Sequence, residues 1–498
     1  MKNIFIKLSL AALVFAAVSC DLTETPTSFV APDDYFQSEA QCKASLNGLY
    51  VSLKTIYSSD MMTSVEAVTD LLFVNTNNDN ARLKISPSNP GFGSTLWQHC
   101  YQSIMRSNAV IYGIENSPAL TDEGKAPLVA EAKVVRAFYY WLLTSFFGDV
   151  PFYTNRVADI DTMKEIAKMG RMSAFETRKA LIEDLEECVP SMQQARFADI
   201  KDYHMGAACG WMLIAKMAQW NKDWDTAINA IKHIEDIYGE FNETNYPLED
   251  ILFRCKNKPE SIFEVQRVYV AGGLNVTHNT ASISTPTHQG TTDIYDGVSI
   301  PEIGTTSTTW TSMRPTAYMS GSLQPRRGID KRTHLNMAWD YNGITFKSVA
   351  SRPWMGPKFW CPNLDQAADH NNNHIFRYAD AILMQAENYA EKDQPEESVR
   401  YLNMVRQRAG TGDYSFKTKA LLLNEIQKER GRELVGEWQR KFDLVRWGIW
   451  YESVRDNSGR AEAIDNLRPC HEYYPIPSQQ VTYSGGALDN AEYEKYGL

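Results

Sequence analysis

The residues best placed to do chemistry include three glutamates in the last fifth of the chain. Glu429, Glu433 and Glu437 recur every fourth residue, which on a helix puts their carboxyls on one face. Arg430, Arg440 and Arg446 lie close by in sequence. Carboxylates do general acid/base work in glycoside hydrolysis when two of them face each other across a substrate cleft. A single row among arginines points instead to an ion-pair network that ties helices together. Asp149 and Asp380 are read the same way. His370 and His374 stand four apart beside Asp369, inside an Asn-rich turn, and are expected to be polar loop residues rather than metal ligands. Asn77 and Asp79 could offer oxygen ligands to calcium, yet the EF-hand spacing and its closing glutamate are missing. No G-x-S-x-G, H-E-x-x-H, P-loop or dinucleotide glycine motif stands in a strand–helix setting. The sequence points away from an enzyme, and no cofactor or metal is expected.

A ligand signal comes from turn-rich stretches, because binding groups concentrate on loops held by a rigid scaffold. The middle of the chain offers Tyr269, Tyr295, Trp310, Tyr318, Trp339, Tyr341, Trp354 and Trp360. An earlier polar loop offers Asn75, Asn77, Asn78, Asp79, Arg82 and Phe92. Sugars present C–H faces that stack on aromatic rings, and hydroxyls that pair with amides, carboxylates and guanidiniums. Trp310, Trp339 and Trp354 are flanked by turn-type polar residues and are the expected platforms. Tyr295, Tyr341, Asn77, Asp79 and Arg82 complete the candidate site. The competing reading, for any one of these aromatics, is a place in the core.

The elements that must position these residues fall into zones. Ala40–Tyr57 and Thr95–Ile114 read as helices, separated by the polar loop from about Phe73 to Ser94. Leu128 to Ile237 is strongly helical. Leu248 to Pro362 is rich in Gly, Thr, Ser, Pro and aromatics, with β-prone pieces such as Ile262–Val265. Helices are expected again from about His374 to Tyr451, followed by a turn-rich tail. Two stretches read as paired short helices: Gly206–Trp220 with a helix opening at Trp224, and Tyr378–Glu391 with Pro395 opening the next, running to Arg408. Such pairs resemble tetratricopeptide units, although not in regular tandem.

At the N-terminus, Lys2 and Lys7 precede a mostly apolar run from Leu8 to Val18, too short to span a bilayer as a mature helix. Val18-Ser19-Cys20 resembles a lipobox, in which Cys20 is acylated and becomes the first mature residue. The expected organisation is a signal peptide over 1–19, a tether over 20–27 and one domain over 28–498. Within that domain, 28–247 and 363–498 form the helical scaffold, and 248–362 is a loop-rich insertion contributing to the ligand site. A net charge of −11 argues against nucleic acid as a partner. Besides Cys20, Cys42, Cys100, Cys188, Cys209, Cys255, Cys361 and Cys470 are scattered and odd in number, which disfavours a zinc site or a disulfide framework. One or two bridges stay open.

Five segments, in order, resemble the SusD/RagB family. Trp97, Tyr101, Ile104 and Asn108 look like its early helix. Glu131-Ala132-Lys133 and Arg136–Tyr140 lead to Phe147-Gly148-Asp149-Val150-Pro151. Arg377-Tyr378-Ala379-Asp380 precedes Leu383–Glu387. Leu402-Asn403, Val405-Arg406 and Arg408-Ala409-Gly410 follow, and then Glu429-Arg430 through Arg446-Trp447. The family's usual closing Asn-Pro-Gly-Tyr run is absent. The resemblance implies a mainly α, SusD-like helical scaffold. It implies a surface lipoprotein of the outer membrane that binds oligo- or polysaccharide and delivers it to a TonB-dependent, SusC-like transporter. It also makes Trp360 a core residue, since Lys358-Phe359-Trp360 looks like a structural strand of the family. A RagB-like peptide-binding protein with the same transporter stays open as an alternative. A polysaccharide hydrolase is disfavoured.

Overall fold

The structure, a computed structural model, describes residues 35–498 apart from 274, 286–293, 296–297, 300–308, 324–329, 342–343, 346–352, 363 and 365–367. The expected signal segment, Cys20 and the tether lie outside the described residues.

The chain is mainly α, as its sequence suggests. Helix α1 (Glu39–Asn47) is capped by the Ser38 side chain, which accepts the Gln41 N–H. It stops before Gly48, so the helix expected over Ala40–Tyr57 is interrupted and resumes only over Leu53–Ile56. Strand β1 (Leu72–Val74) leads into the polar loop. Helices α2 (Phe92–Glu115) and α3 (Asp122–Phe147) then pack against each other. Helix α3 begins at Thr121, whose hydroxyl accepts the Gly124 N–H. Asp122 and Glu123 in its first turn complement the helix dipole. It ends at Gly148, with φ +70°. Every residue from Val134 to Phe147 is buried, as expected of a helix surrounded on all sides.

Helices α4 (Ile160–Ala167) and α5 (Ala174–Cys188) follow. Asp149 accepts the Ala174 N–H at 2.8 Å, a capping role at the start of α5. The two expected pairs are present as α6 (Ala207–Trp220) with α7 (Trp224–Tyr238), and α9 (Tyr378–Glu391) with α10 (Pro395–Arg408). Between α6 and α7 the turn needs Lys222 at φ +58°, and the Asp223 carboxylate caps the Thr226 N–H. Short helix α8 (Thr280–Ser284) lies in the insertion between the pairs.

The return to helix after the insertion comes later than expected. Asn373–Arg377 is a fully buried strand, β4, paired antiparallel with β2 (Ser261–Val265). Between them in sequence, β3 (Met313–Pro315) pairs with β1. His374 is therefore not a loop residue: it is buried, with its ring 3.6 Å from Glu264. One contiguous apolar core runs from Cys42 to Leu488 and takes in Met313, Met337 and Trp339 of the insertion. The seven cysteines from Cys42 onwards are free thiols.

Helix α11 (Lys419–Leu434) carries Glu429 and Glu433, but it ends before Glu437. The chain turns at Gly436, φ +77°, and helix α12 (Arg440–Arg446) follows. The three glutamates nonetheless meet in one buried ion-pair network. Arg377 pairs with Glu260 at 2.6 Å, Glu433 at 3.1 Å and Glu437 at 2.8 Å. Lys358 pairs with Glu437 at 2.6 Å, Arg408 with Glu260 at 2.8 Å, and Arg332 with Glu429 at 2.6 Å. Asp380 joins Lys216 at 2.7 Å to Arg430 at 2.9 Å. The network fastens the last helices to the insertion, through Arg332 and Lys358, and to both helix pairs. No carboxyls are left facing a cleft here. Burial works to raise Glu429, but the guanidiniums of Arg332, Arg432 and Arg406 outweigh it and hold the carboxyl down at about 2.

Candidate functional site

Two loops distant in sequence are brought together by the β1–β3 ladder, whose register sets Leu72 opposite Pro315 and Val74 opposite Met313. Beyond the strands, the Asn75 N–H donates to the Ser312 carbonyl at 2.7 Å. At Thr311 the chain takes φ +52° and leaves the ladder. The Trp310 N–H then donates to the Ser282 carbonyl on α8 at 2.7 Å. Arg460 adds a hydrogen bond to the Val74 carbonyl at 3.0 Å. The backbone around Trp310 is thus pinned on two sides, while its side chain is 54% exposed. Asn75, Thr76 and Asn77 are exposed beside it. A rigidly based aromatic face next to amides and a hydroxyl can take a polyhydroxylated ring.

The other expected site residues distribute differently. Trp339 is 6% exposed, and its indole N–H donates to the Thr333 carbonyl at 2.9 Å, so it is a core residue and no platform. Trp354 is half-buried, strand-paired with Ala338 and packed on the core. Phe92 is also core, tucked behind the loop rather than displayed by it. Trp360 is buried, as the resemblance implied, but it follows a 3-10 turn (Pro357–Phe359) rather than lying in a strand. Tyr295 and Tyr341 sit opposite each other in paired strands, and their side chains lie outside what is described.

Asp79 and Arg82 brace the loop from within. Arg82 donates to Asp79 at 2.7 Å and reaches Glu462 at 3.4 Å, and the second Asp79 oxygen takes the Asn89 amide at 3.1 Å. These hydrogen bonds to Arg82 and Asn89 hold the Asp79 carboxyl below its usual range. Asn80, behind them, accepts the Phe92 N–H at 3.0 Å and the Tyr474 hydroxyl at 3.2 Å. Of the expected loop ligands, Asn75 and Asn77 remain outward.

Among the described residues, no group of three or more His, Cys, Asp or Glu could hold a metal ion. Nucleophile–base contacts among the described residues include the Thr280 hydroxyl, 2.8 Å from His278 Nδ1 but buried where no substrate reaches it, and Cys361, 3.4 Å from His370 Nδ1. Burial pushes that thiol well up, so the thiolate needed for attack is withheld.

One cavity went unread in the sequence. A cleft of about 520 Å³ lies between α2, the end of α4 and a short C-terminal helix, α13 (Ser478–Tyr483). Its floor includes Trp97 and Tyr101, two of the resemblance motif's residues. Their spacing with Gln98, Gln102 and Met105 on one face of α2 was the available signal.

Comparison with known proteins finds relatives of the same fold. Residues 358–493 match the family model described as SusD family, and residues 30–195 match one described as starch-binding associating with outer membrane. SusD-like protein P25 of Formosa agariphila is 25% identical, over 96% of this chain and 96% of its own. SusD-like protein P2 of the same organism is 23% identical over 97% and 98%. Among solved structures, a SusD superfamily protein from Bacteroides vulgatus superposes with a TM-score of 0.71 at 20% identity, covering 91% of this chain and 98% of that one. Surface glycan-binding protein A from Bacteroides thetaiotaomicron, in complex with laminarihexaose, gives 0.68 at 19% identity over 91% and 99%. The chain belongs to the SusD-like family.

Proposed function

We propose that this protein is a cell-surface glycan-binding lipoprotein. It captures oligo- or polysaccharide on the loop face around Trp310 and hands it to a SusC-like, TonB-dependent transporter in the outer membrane. Cys20, the first residue after the signal peptide spanning 1–19, carries the acyl anchor, and residues 20–27 tether the single domain formed by 28–498. The protein binds its ligand without cleaving it.

The observation that carries this reading is the exposed Trp310 ring, on a backbone tied to α8 and to the polar loop, beside Asn75–Asn77. Relatives of the same fold are described as surface glycan-binding and laminarin-binding proteins, which supports a saccharide as the ligand class. A site of one ring and a few amides suits affinities of about −4 to −8 kcal/mol, from millimolar to micromolar. That range also lets a ligand be passed on.

Calorimetry of the soluble chain against a panel of neutral polysaccharides, with chromatography of the same mixtures, tests the proposal. Binding is expected to at least one glycan without products, and Trp310→Ala should weaken it about tenfold or more at unchanged circular dichroism. Released oligosaccharides, or no binding by the parent to any glycan, would defeat it. Cys20→Ala should release the protein from membranes, and gentle detergent extraction should recover the transporter with it. A Cys20→Ala protein that stays with the membrane would refute the anchor.

A further inference from the structure

The cleft between α2, α4 and α13 is built from rings and amides. Ser94, Trp97, Gln98, Tyr101, Gln102 and Met105 recur at three- and four-residue steps, and so line it from one face of α2. Tyr153 faces Tyr101 as a near-parallel ring, 6.3 Å between centroids and 8° between planes. Tyr483 stands at the opposite rim on α13, 62% exposed. Its hydroxyl accepts the Gln479 amide at 2.6 Å, which fixes the ring's edge.

Two features of the lining point to a ligand class. None of the fifteen lining residues is Asp, Glu, Lys, Arg or His, although such residues crowd the rest of this chain. A charged ligand would find no counter-charge here. Gln98, Gln102 and Gln480 also line the cleft, and their amides make no side-chain hydrogen bond among the described residues. Tyr101, in contrast, is spoken for, since its hydroxyl donates to the Pro151 carbonyl at 2.8 Å. Rings for apolar faces and free amides for hydroxyls, with no charge, match a neutral saccharide. The volume lies within the range of small-molecule sites.

The cleft is also mechanically tied to the loop face. The Ser478 N–H, at the start of α13, donates to the Pro87 carbonyl in the polar loop at 2.9 Å.

We infer that this cleft is a second saccharide site, separate from Trp310, that takes a neutral oligosaccharide through Tyr483, Tyr101, Tyr153 and the glutamines of α2 and α13. The inference rests on the glycan-binding reading above. Two sites of millimolar affinity on one chain hold a polymer far more tightly than either alone, because the second contact becomes intramolecular.

The test is titration calorimetry of the soluble chain with five neutral hexasaccharides: laminarihexaose, maltohexaose, cellohexaose, mannohexaose and xylohexaose. The variants are Trp310→Ala and the double variant Gln98→Ala/Tyr483→Ala, whose positions are exposed and whose folding is checked by circular dichroism. The parent should show two binding events for at least one hexasaccharide, with each variant losing one, at tenfold or greater weakening. A single event lost in Trp310→Ala and untouched in the double variant overturns the cleft but leaves the loop face standing. A single event lost only in the double variant upholds the cleft and overturns the loop face. Failure of every hexasaccharide to bind the parent overturns both.

Discussion

Arg377→Met removes the hub of the buried ion-pair network while keeping most of the side-chain volume. Glu433 and Glu437 lose their shared partner and Glu260 loses one of two, all three being buried. Breaking a buried pair by deleting one member costs about 3–5 kcal/mol, because a charge is left in a poorly polarisable interior. For a chain of 498 residues, the unfolding entropy near Tm is about 1 kcal/mol/K, taking ~2.1 cal/mol/K per residue. The expected loss is therefore about 3–5 °C by differential scanning calorimetry at pH 7. Glu437→Gln alone should also destabilise, since Lys358 and Arg377 both lose a carboxylate. The double variant Arg377→Met/Glu437→Gln should be less destabilised than the two single changes summed, by about 0.5–3 kcal/mol. Glycan affinity of the folded protein should not change. A Tm within 1 °C of the parent, or strict additivity in the double variant, would show that the network does not hold the scaffold.

Four further outcomes are expected. Glu429 titrates near 2 when folded against 4.5 unfolded, so its stabilising contribution is complete above 4.5 and is lost as pH falls towards 2, amounting to about 3 kcal/mol; urea midpoints across that window should drop steeply. Lys441 is lowered by burial to about 7 from 10.5, so the unfolded chain binds its proton more readily between those values; Lys441→Met should abolish the rise in stability this group contributes as pH climbs from 7, as read by parent-minus-variant urea midpoints. Trp339→Ala should cost about 3–5 kcal/mol in thermal or urea unfolding and spare ligand specificity, the reverse of Trp310→Ala. Gly436→Ala should destabilise by about 1–2 kcal/mol from its positive φ alone, and by more because the new Cβ would sit 2.3 Å from Phe359; an unchanged melting curve would refute that packing.

The paired helices were legible because each carries its own signals: apolar spacing, a three-residue turn, and proline at Pro395. The network was legible as ion pairing, but not its geometry, since the positive φ that Gly436 adopts leaves no local trace in the periodicity. Strand β4 was misread because Asn371-Asn372-Asn373 looks like a turn, and its partner β2 lies more than a hundred residues earlier. Trp310 and Trp339 both lie in the turn-rich insertion with polar residues close by in sequence. What separates them is tertiary: Trp310 follows a departure from the β1–β3 ladder, while Trp339 follows strand residues buried in the core. Asp79 and Arg82 looked available for ligand, but Glu462, some 380 residues on, completes their cluster. The α2 cleft was hidden by the assumption that motif aromatics serve only the core. Tyr101 and Gln102 are half-buried and line an opening as well.

The central claim is that the loop face around Trp310 holds the glycan. A crystal structure of the soluble chain with the tightest-binding oligosaccharide of the panel tests it most directly. The account expects a sugar ring stacked on the Trp310 indole, at about 4 Å, with hydroxyls hydrogen-bonded to groups of Asn75–Asn77. A fully occupied ligand elsewhere on the protein, with the Trp310 face left to solvent, would contradict it.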